Sequence, residues 1–342
     1  MNRNFSLFFS SQETIYQLRE GDPAMKKEKA LSDNRNTFSK RLARDWNMNK
    51  WKYILMIPVL IYLFLFCYKP MYGLVIAFKD YKITRGIAGS SWANPWYKWF
   101  LNFFTDPYFG RIIRNTFVIS GTTILFGFPA PIVLALMINE VQNSKFKRTV
   151  QTITYMPYFV SMVVMCGLIK QFTMSNGIFS QIAQAFGFPA QNFLMNPKAF
   201  VPIYVASDIW QGIGWNSIIY LAAITSIDQE QYDAAKVDGA NRFQQILHIT
   251  LPGIMPTVTI LFILRMGSIV NVGYEKIILL YNSSTYSTAD VISTYNYRLS
   301  FASTSPMYSK STAIGMFNTV VNVFFLLVTN AISGKLSENS LF

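Results

Sequence analysis

Six stretches of roughly 20 mostly apolar residues dominate this chain, each long enough as a helix to cross the hydrocarbon core of a bilayer. They run over about Tyr53 to Ile76, Ile112 to Ile138, Thr149 to Ile169, Phe200 to Thr225, Thr250 to Val272 and Ser311 to Ile332. Backbone N–H and C=O groups in hydrocarbon must be satisfied within the segment, so the pattern predicts an all-α membrane protein of six transmembrane helices. Charge agrees with this, because Asp, Glu, Lys and Arg make up 14% of the chain against roughly 25% in a soluble domain. The 29 Phe and 19 Tyr exclude intrinsic disorder.

The charge that remains is basic, with 30 Lys and Arg against 17 Asp and Glu, a balance that suits nucleic acid, anionic lipid or an acidic substrate. Position separates these. With the N-terminus inside, the inner segments hold 17 Lys and Arg and the outer ones nine. Both termini are therefore expected in the cytoplasm. The basic residues lie mostly beside spans, as expected for a chain in contact with membrane lipid, and not on one folded face, so no nucleic-acid partner is expected.

Residues 1–50 read as a polar, basic cytoplasmic tail without a signal peptide, residues 51–335 as the membrane domain and 336–342 as a short cytoplasmic end. The segment SSWANPWYKWF, in the expected outer loop between Lys79 and Arg111, suits an interfacial aromatic belt or a sugar-stacking platform. Cys67 and Cys166 both sit inside apolar runs and His248 is the single histidine, so neither a disulfide framework nor a metal site is expected. No nucleophile, base and orienting acid gather in sequence around His248, which argues against a membrane-embedded hydrolase.

Between the fourth and fifth stretches, SIDQEQYDAAKVDGANRFQQILHITLPGIMP specifies more than a loop. Asp228 followed by Gln231 makes a capping-box-like start, and Gly239 stands where a helix ends in a left-handed residue. Asn241 with Gln244 repeats the start signal, predicting a second short helix to about His248 that hands over to the fifth span through a break at Leu251-Pro252.

The run Tyr232 to Pro252 resembles the EAA signature of permease subunits of type I ATP-binding-cassette importers: an acidic residue and two alanines, a Gly, then Ile and Leu-Pro. Asp233, Ala234, Ala235, Gly239, Ile249, Leu251 and Pro252 occupy those positions, with Asp233 where the family usually has Glu. Looser likenesses in GIAGSSW (Gly86 to Trp92), Ile138 to Ser161, Ile209 to Ile224 and TYNYR (Thr294 to Arg298) are similar to the branch serving pectin-like and alginate-like saccharides.

The resemblance implies a coupling helix at about 228–240 that docks into an ATPase subunit through Asp233, Ala234, Ala235, Asp238, Gly239, Ala240 and Phe243. It also implies a second, non-identical permease subunit, a dimer of ATPase subunits holding ATP and magnesium, and an extracytoplasmic binding protein that delivers a saccharide. No GxxxxGK[ST] loop occurs, so this chain is expected to be a transport subunit with no cofactor of its own and no ATPase activity. Six spans alone equally suit a secondary transporter or channel, although no paired broken helices suggest inverted repeats.

Charge inside an apolar span marks a candidate path, because it needs water, a partner or substrate. Arg114, Lys170, Asp208 and Arg265 qualify, with Lys69 beside Pro70 at the edge. Arg265, followed by Gly267, Ser268 and Asn271 in spacings that fit one helix face, could line a cavity for an acidic sugar or be neutralised by a neighbouring helix. Trp215, Asn216 and Tyr220 complete the candidate lining. Arg114 and Lys170 also fit snorkelling residues near an interface.

Overall fold

The computed structural model describes residues 45, 46 and 48–336. The expected tail before residue 45 and the end after residue 336 lie outside the described residues. The chain divides into two units, Met1–Gly73 and Leu74–Phe342. In the first, residues 48–73 belong to a 31-residue helix, α1 (Met48–Phe78), whose large apolar side chains, Leu55, Phe64 and Tyr68 among them, are exposed within the chain. A helix apolar all round is built for lipid or for other helices.

The second unit opens with a small clasp in which β1 (Lys79–Asp80) pairs antiparallel with β2 (Ser91–Trp92), Lys79 opposite Trp92. The Lys79 Nζ donates to the Ile87 carbonyl at 2.7 Å and lies 4.8 Å from the Trp92 ring centre, so GIAGSSW is the strap of this clasp. Helices follow: α2 (Lys98–Phe104), α3 (Phe109–Glu140), α4 (Ser144–Tyr155), α5 (Met162–Thr173), α6 (Ile178–Ala185) and α7 (Pro197–Thr225). After them come α8 (Gln229–Val237), α9 (Arg242–Met266), α10 (Tyr274–Leu280), α11 (Tyr286–Ala289), α12 (Ile292–Tyr297) and α13 (Tyr308–Leu336).

Among the described residues five helical stretches are long and apolar enough to cross a membrane: Met48–Phe78, Phe109–Glu140, Met162–Ala185, Arg242–Met266 and Tyr308–Lys335. The remaining long helix, α7, has 29 residues but carries Asp208, Gln211, Asn216 and two glycines along its length. It sits at the centre of the bundle, touching α3, α4, α9 and α11. Its Tyr204, Val205 and Phe200 pack into a core with Met165, Cys166 and Ile277, while Tyr220 and Ile224 pack into another with Ala135 and Ile254. An apolar helix that carries polar residues and is placed centrally is stabilised by neighbours and lines whatever space they leave.

Three widened, π-helical turns, Leu63–Tyr68, Thr123–Gly127 and Ile246–Thr250, each end two residues before a proline: Pro70, Pro129 and Pro252. Proline cannot donate to the carbonyl four residues back and its ring collides with it, and a wider turn moves that carbonyl aside. The expected break at Leu251-Pro252 is therefore absent, and α9 runs continuously through it.

Two other expectations are corrected. The third stretch, Thr149 to Ile169, is not one helix: α4 ends at Tyr155, Met156–Phe159 forms a 3-10 turn around Pro157, and Ser161 caps a new helix at Met162. The fifth stretch ends as a helix at Met266, not Val272, so Ser268 and Asn271 stand in turns and share no helix face with Arg265.

At the end of the bundle away from α8, a buried ionic knot ties α3, α11 and α12. The fully buried Asp290 carboxylate receives both Arg298 guanidinium nitrogens at 2.7 Å, Arg111 at 3.2 Å and the Thr294 hydroxyl at 2.9 Å. TYNYR supplies this knot and its surroundings, since Tyr295 donates to Asp106 at 2.5 Å and Asn296 accepts from Ser311 at 2.6 Å.

Candidate functional site

Two adjoining cavities run beside α7. The first, of about 330 Å³, is lined by Ser120, Tyr204, Ser268, Asn271, Glu275 and Lys276 among others. The second, of about 400 Å³, is lined by Phe128, Trp215, Asn216, Ile219, Tyr220 and Leu261 among others. Thr123, Asp208 and Arg265 line both and stand at the junction. All six residues expected on a path, Asp208, Trp215, Asn216, Tyr220, Arg265 and Asn271, therefore lie on these two walls. Arg114, Lys170 and Lys69 are exposed and line neither.

The wall is held from behind. Asn322 of α13 donates to the Asn271 side chain at 3.2 Å and accepts from the Val270 N–H at 3.0 Å, which fixes the turn after α9. Ser120 donates to the Ile269 carbonyl. Trp215 is stacked by Tyr158, ring centres 4.7 Å apart and planes 4° apart, with Phe159 edge-on at 5.6 Å. The broken third stretch thus serves to bring Tyr158 and Phe159 against the second cavity's wall.

Charge at the junction is unevenly satisfied. Asp208 is paired with Lys276, Oδ1 to Nζ at 3.3 Å. Arg265 has no ion pair among the described residues, and the Thr123 hydroxyl is buried without a hydrogen-bond partner. A cation left without a counter-charge on a cavity wall is a group that a polyhydroxylated, anionic molecule can satisfy. Sequence reasoning missed Lys276, Thr123 and Asn322. Lys276 follows the fifth stretch and reads as a loop residue, and hydroxyl and amide residues within spans give no signal of their own.

A second candidate site stands at the far end of α7. Asp228 accepts from the Glu230 N–H at 3.0 Å to start α8, a single cap in place of the expected box. The helix ends in a Schellman pair: Ala240 donates to the Ala235 carbonyl at 2.9 Å and Gly239, at φ +81°, to Lys236 at 3.1 Å. Asn241 and Gln244 then form a full capping box. The Tyr232 hydroxyl meets Thr250 at 3.0 Å, tying α8 to α9.

Ala235, Asp238, Gly239 and Ala240 line a shallow cleft of about 290 Å³ with Gln244 and His248. Asp233, Ala234 and Phe243 lie outside it and are exposed. Lys236 donates to Asp233 at 2.9 Å and holds its carboxyl below the usual carboxylate range. Val237 and Phe243 leave 88% and 72% of their surface open, two apolar side chains beside a helix corner. Among the described residues no group of His, Cys, Asp and Glu could hold a metal ion.

A bundle of apolar helices around a polar path, with a helix–Gly–helix corner standing at one end, defines a membrane transport permease. The family model described as binding-protein-dependent transport system inner membrane component matches residues 127–337, and the chain belongs to that family. It is the permease of an ATP-binding-cassette importer, and its activity is transport, not catalysis.

Relatives of Bacillus subtilis include Protein LplB, 41% identical over 295 residues, 86% of this chain and 92% of that protein. They also include the polygalacturonan/rhamnogalacturonan transport system permease protein YteP, 38% identical over 304 residues, 89% and 94% of the two chains. A chain of a bacterial alginate ABC transporter, crystallised in complex with an alginate pentasaccharide-bound periplasmic protein, is 42% identical. It superposes with a TM-score of 0.80 over 88% of this chain and all of that one.

Proposed function

We propose that this permease forms half of the path by which an acidic, uronate-type oligosaccharide enters the cell, and that the junction of Thr123, Asp208 and Arg265 is where the sugar passes. The observation that carries this reading is the Arg265 guanidinium, without an ion pair among the described residues, at the meeting of two cavities. Likeness to permeases named for alginate and polygalacturonan supports the substrate class. Asn216, Tyr220 and Asn271 offer hydrogen bonds along the wall, and Trp215 an aromatic face.

In this reading the chain crosses the plasma membrane six times, α7 included, with both termini in the cytoplasm. Residues 1–50 are a basic tail, 51–335 the membrane domain and 336–342 a short end. A second, non-identical permease closes the path. An extracytoplasmic binding protein delivers the saccharide, and a dimer of ATPase subunits carries ATP and magnesium. Asp233, Ala234, Ala235, Asp238, Gly239, Ala240 and Phe243 form the surface on which the ATPase docks, and its closure biases the bundle between inward- and outward-open states.

The test is uptake by the complete transporter in proteoliposomes. Arg265→Gln lowers uptake of a uronate pentamer by about tenfold, the consequence of losing roughly 1.4 kcal/mol of charge attraction. Unchanged uptake in that variant refutes the assigned path.

A further inference from the structure

Among the described residues the wall of the second cavity has two charged ones, Asp208 and Arg265, and they carry opposite signs. Left to themselves, a carboxylate and a guanidinium on one wall would neutralise each other and leave nothing for an anion to meet. A third residue, which does not line that cavity, already holds the carboxylate. Lys276, its side chain 2% exposed, reaches Asp208 from α10 at 3.3 Å. The same Nζ donates to the Tyr204 carbonyl at 3.3 Å and lies 4.7 Å from the Tyr204 ring centre. Asp208 keeps 40% of its side chain open to the cavity, yet its charge is spoken for.

We propose that Lys276 is the specificity-determining residue of the path: by holding Asp208 it leaves Arg265 as the uncommitted charge at the junction, which makes the passage selective for anionic saccharides. This rests on the reading that an acidic sugar passes there. The remaining charged group of the first cavity is Glu275, which is exposed, takes a hydrogen bond from Tyr274 at 3.4 Å and lines only the first cavity. It therefore leaves the sign of the second cavity to the other three residues. Lys276 acts through Asp208 and is a positioning residue, its side chain 2% exposed and its Nζ committed to Asp208 and the Tyr204 carbonyl. Placing a buried cation behind a carboxylate to cancel it is a device for discrimination, because a neutral competitor gains nothing from Arg265 while an anion does.

The experiment uses the complete transporter in proteoliposomes with its binding protein saturated by a uronate pentamer, and the thermal midpoint of each assembly measured in parallel. Lys276→Gln frees Asp208 to engage Arg265 and repel the sugar, and uptake falls by about tenfold or more. The double variant Lys276→Gln with Asp208→Asn removes both charges and raises uptake at least about threefold above that of Lys276→Gln. A merely structural lysine gives no such rescue.

Double-variant uptake as low as that of Lys276→Gln, at an unchanged thermal midpoint, overturns the inference, as does Lys276→Gln transporting normally. Where Lys276→Gln fails to assemble, the double variant, which buries no uncompensated charge, is compared directly with Arg265→Gln: uptake well above that of Arg265→Gln supports the inference, and uptake as low overturns it. Arg265→Gln separates the two levels. Normal uptake there refutes the acidic path itself, whereas loss there without rescue in the double variant refutes only the role of Lys276.

Discussion

Gly214 of α7 meets the backbone of Thr154 at the end of α4 so closely that a Cβ at that position would lie 2.1 Å from the Thr154 carbonyl oxygen and 2.4 Å from its carbon. The obstacle is backbone, which cannot rotate away as a side chain can. The approach is what brings Tyr158 onto Trp215 a few residues later. The third apolar stretch breaks just beyond this contact, at the 3-10 turn around Pro157.

The first prediction follows from that contact. Gly214→Ala forces α7 and α4 apart and lowers the stability of the purified permease by at least about 2 kcal/mol, within the cost of overpacking a tight interface. Gly212→Ala is the control, because the nearest atom there is the Asn216 side-chain nitrogen at 3.2 Å, which can move. Thermal midpoints in detergent that fall for Gly214→Ala and hold for Gly212→Ala are the expected result.

Asp290→Asn is the second. The carboxylate is fully buried and faces two arginines, so neutralising it leaves Arg298 and Arg111 facing each other with no counter-charge. Removing one side of a buried ionic cluster costs about 3–5 kcal/mol. The exposed Lys236–Asp233 pair on α8 is the contrast, and Asp233→Asn leaves the thermal midpoint unchanged. Both variants are read by the same melting experiment.

The resemblance of TYNYR to saccharide permeases thus has a structural explanation: Thr294, Tyr295, Asn296 and Arg298 bind Asp290, Asp106 and Ser311 and none of them lines either cavity. The residues that line the two cavities, by contrast, were legible through chemistry that a span should not contain. Arg265 and Asp208 stand out in apolar runs for that reason, and Trp215, Asn216 and Tyr220 follow by helix adjacency. Lys276 was not legible, because a lysine just beyond a span looks like any loop lysine until α10 folds back against α7. Asn271 was placed on the wall for the wrong reason: it stands in a turn held by Asn322, not on the helix of Arg265. The break at Met156–Ser161 lay in the sequence as a proline inside an apolar run, and hydropathy averaged over it.

The third prediction concerns pH. Burial alone would raise the Asp106 carboxyl, but hydrogen bonds from Lys310 at 2.5 Å, from Tyr295 at 2.5 Å and from the Tyr108 N–H at 2.9 Å outweigh it and hold the group below its ordinary 3.8. A depressed native value means that the contribution is fully present above the unfolded value and disappears as pH falls through the native one. The thermal midpoint of the permease therefore falls as pH drops from about 4 downward, and Asp106→Asn, less stable at pH 7, loses part of that slope. An identical acid limb in the variant rules out Asp106 as its source.

The last prediction separates the Gly239 corner between α8 and α9, the proposed ATPase contact, from its surroundings. Gly239 sits at φ +81° with open space where a side chain would point, so a substitution there is strained by backbone conformation alone. Gly239→Ala brings a Cβ into the left-handed region at a cost of roughly 1–2 kcal/mol, and the Schellman pair with Ala235 and Lys236 gives way locally before the bundle does. The melting midpoint of the membrane bundle stays close to wild type, while ATPase activity stimulated by substrate-loaded binding protein falls by about threefold to tenfold. Gly239→Asn retains more activity, because asparagine enters this region more readily than alanine. Gly315→Ala, inside α13 and also facing open space but at ordinary helical φ, changes neither quantity. Equal activities in Gly239→Ala and wild type would mean that the corner's shape is not what the ATPase subunit reads, and would move the docking surface to the exposed Val237 and Phe243 side chains.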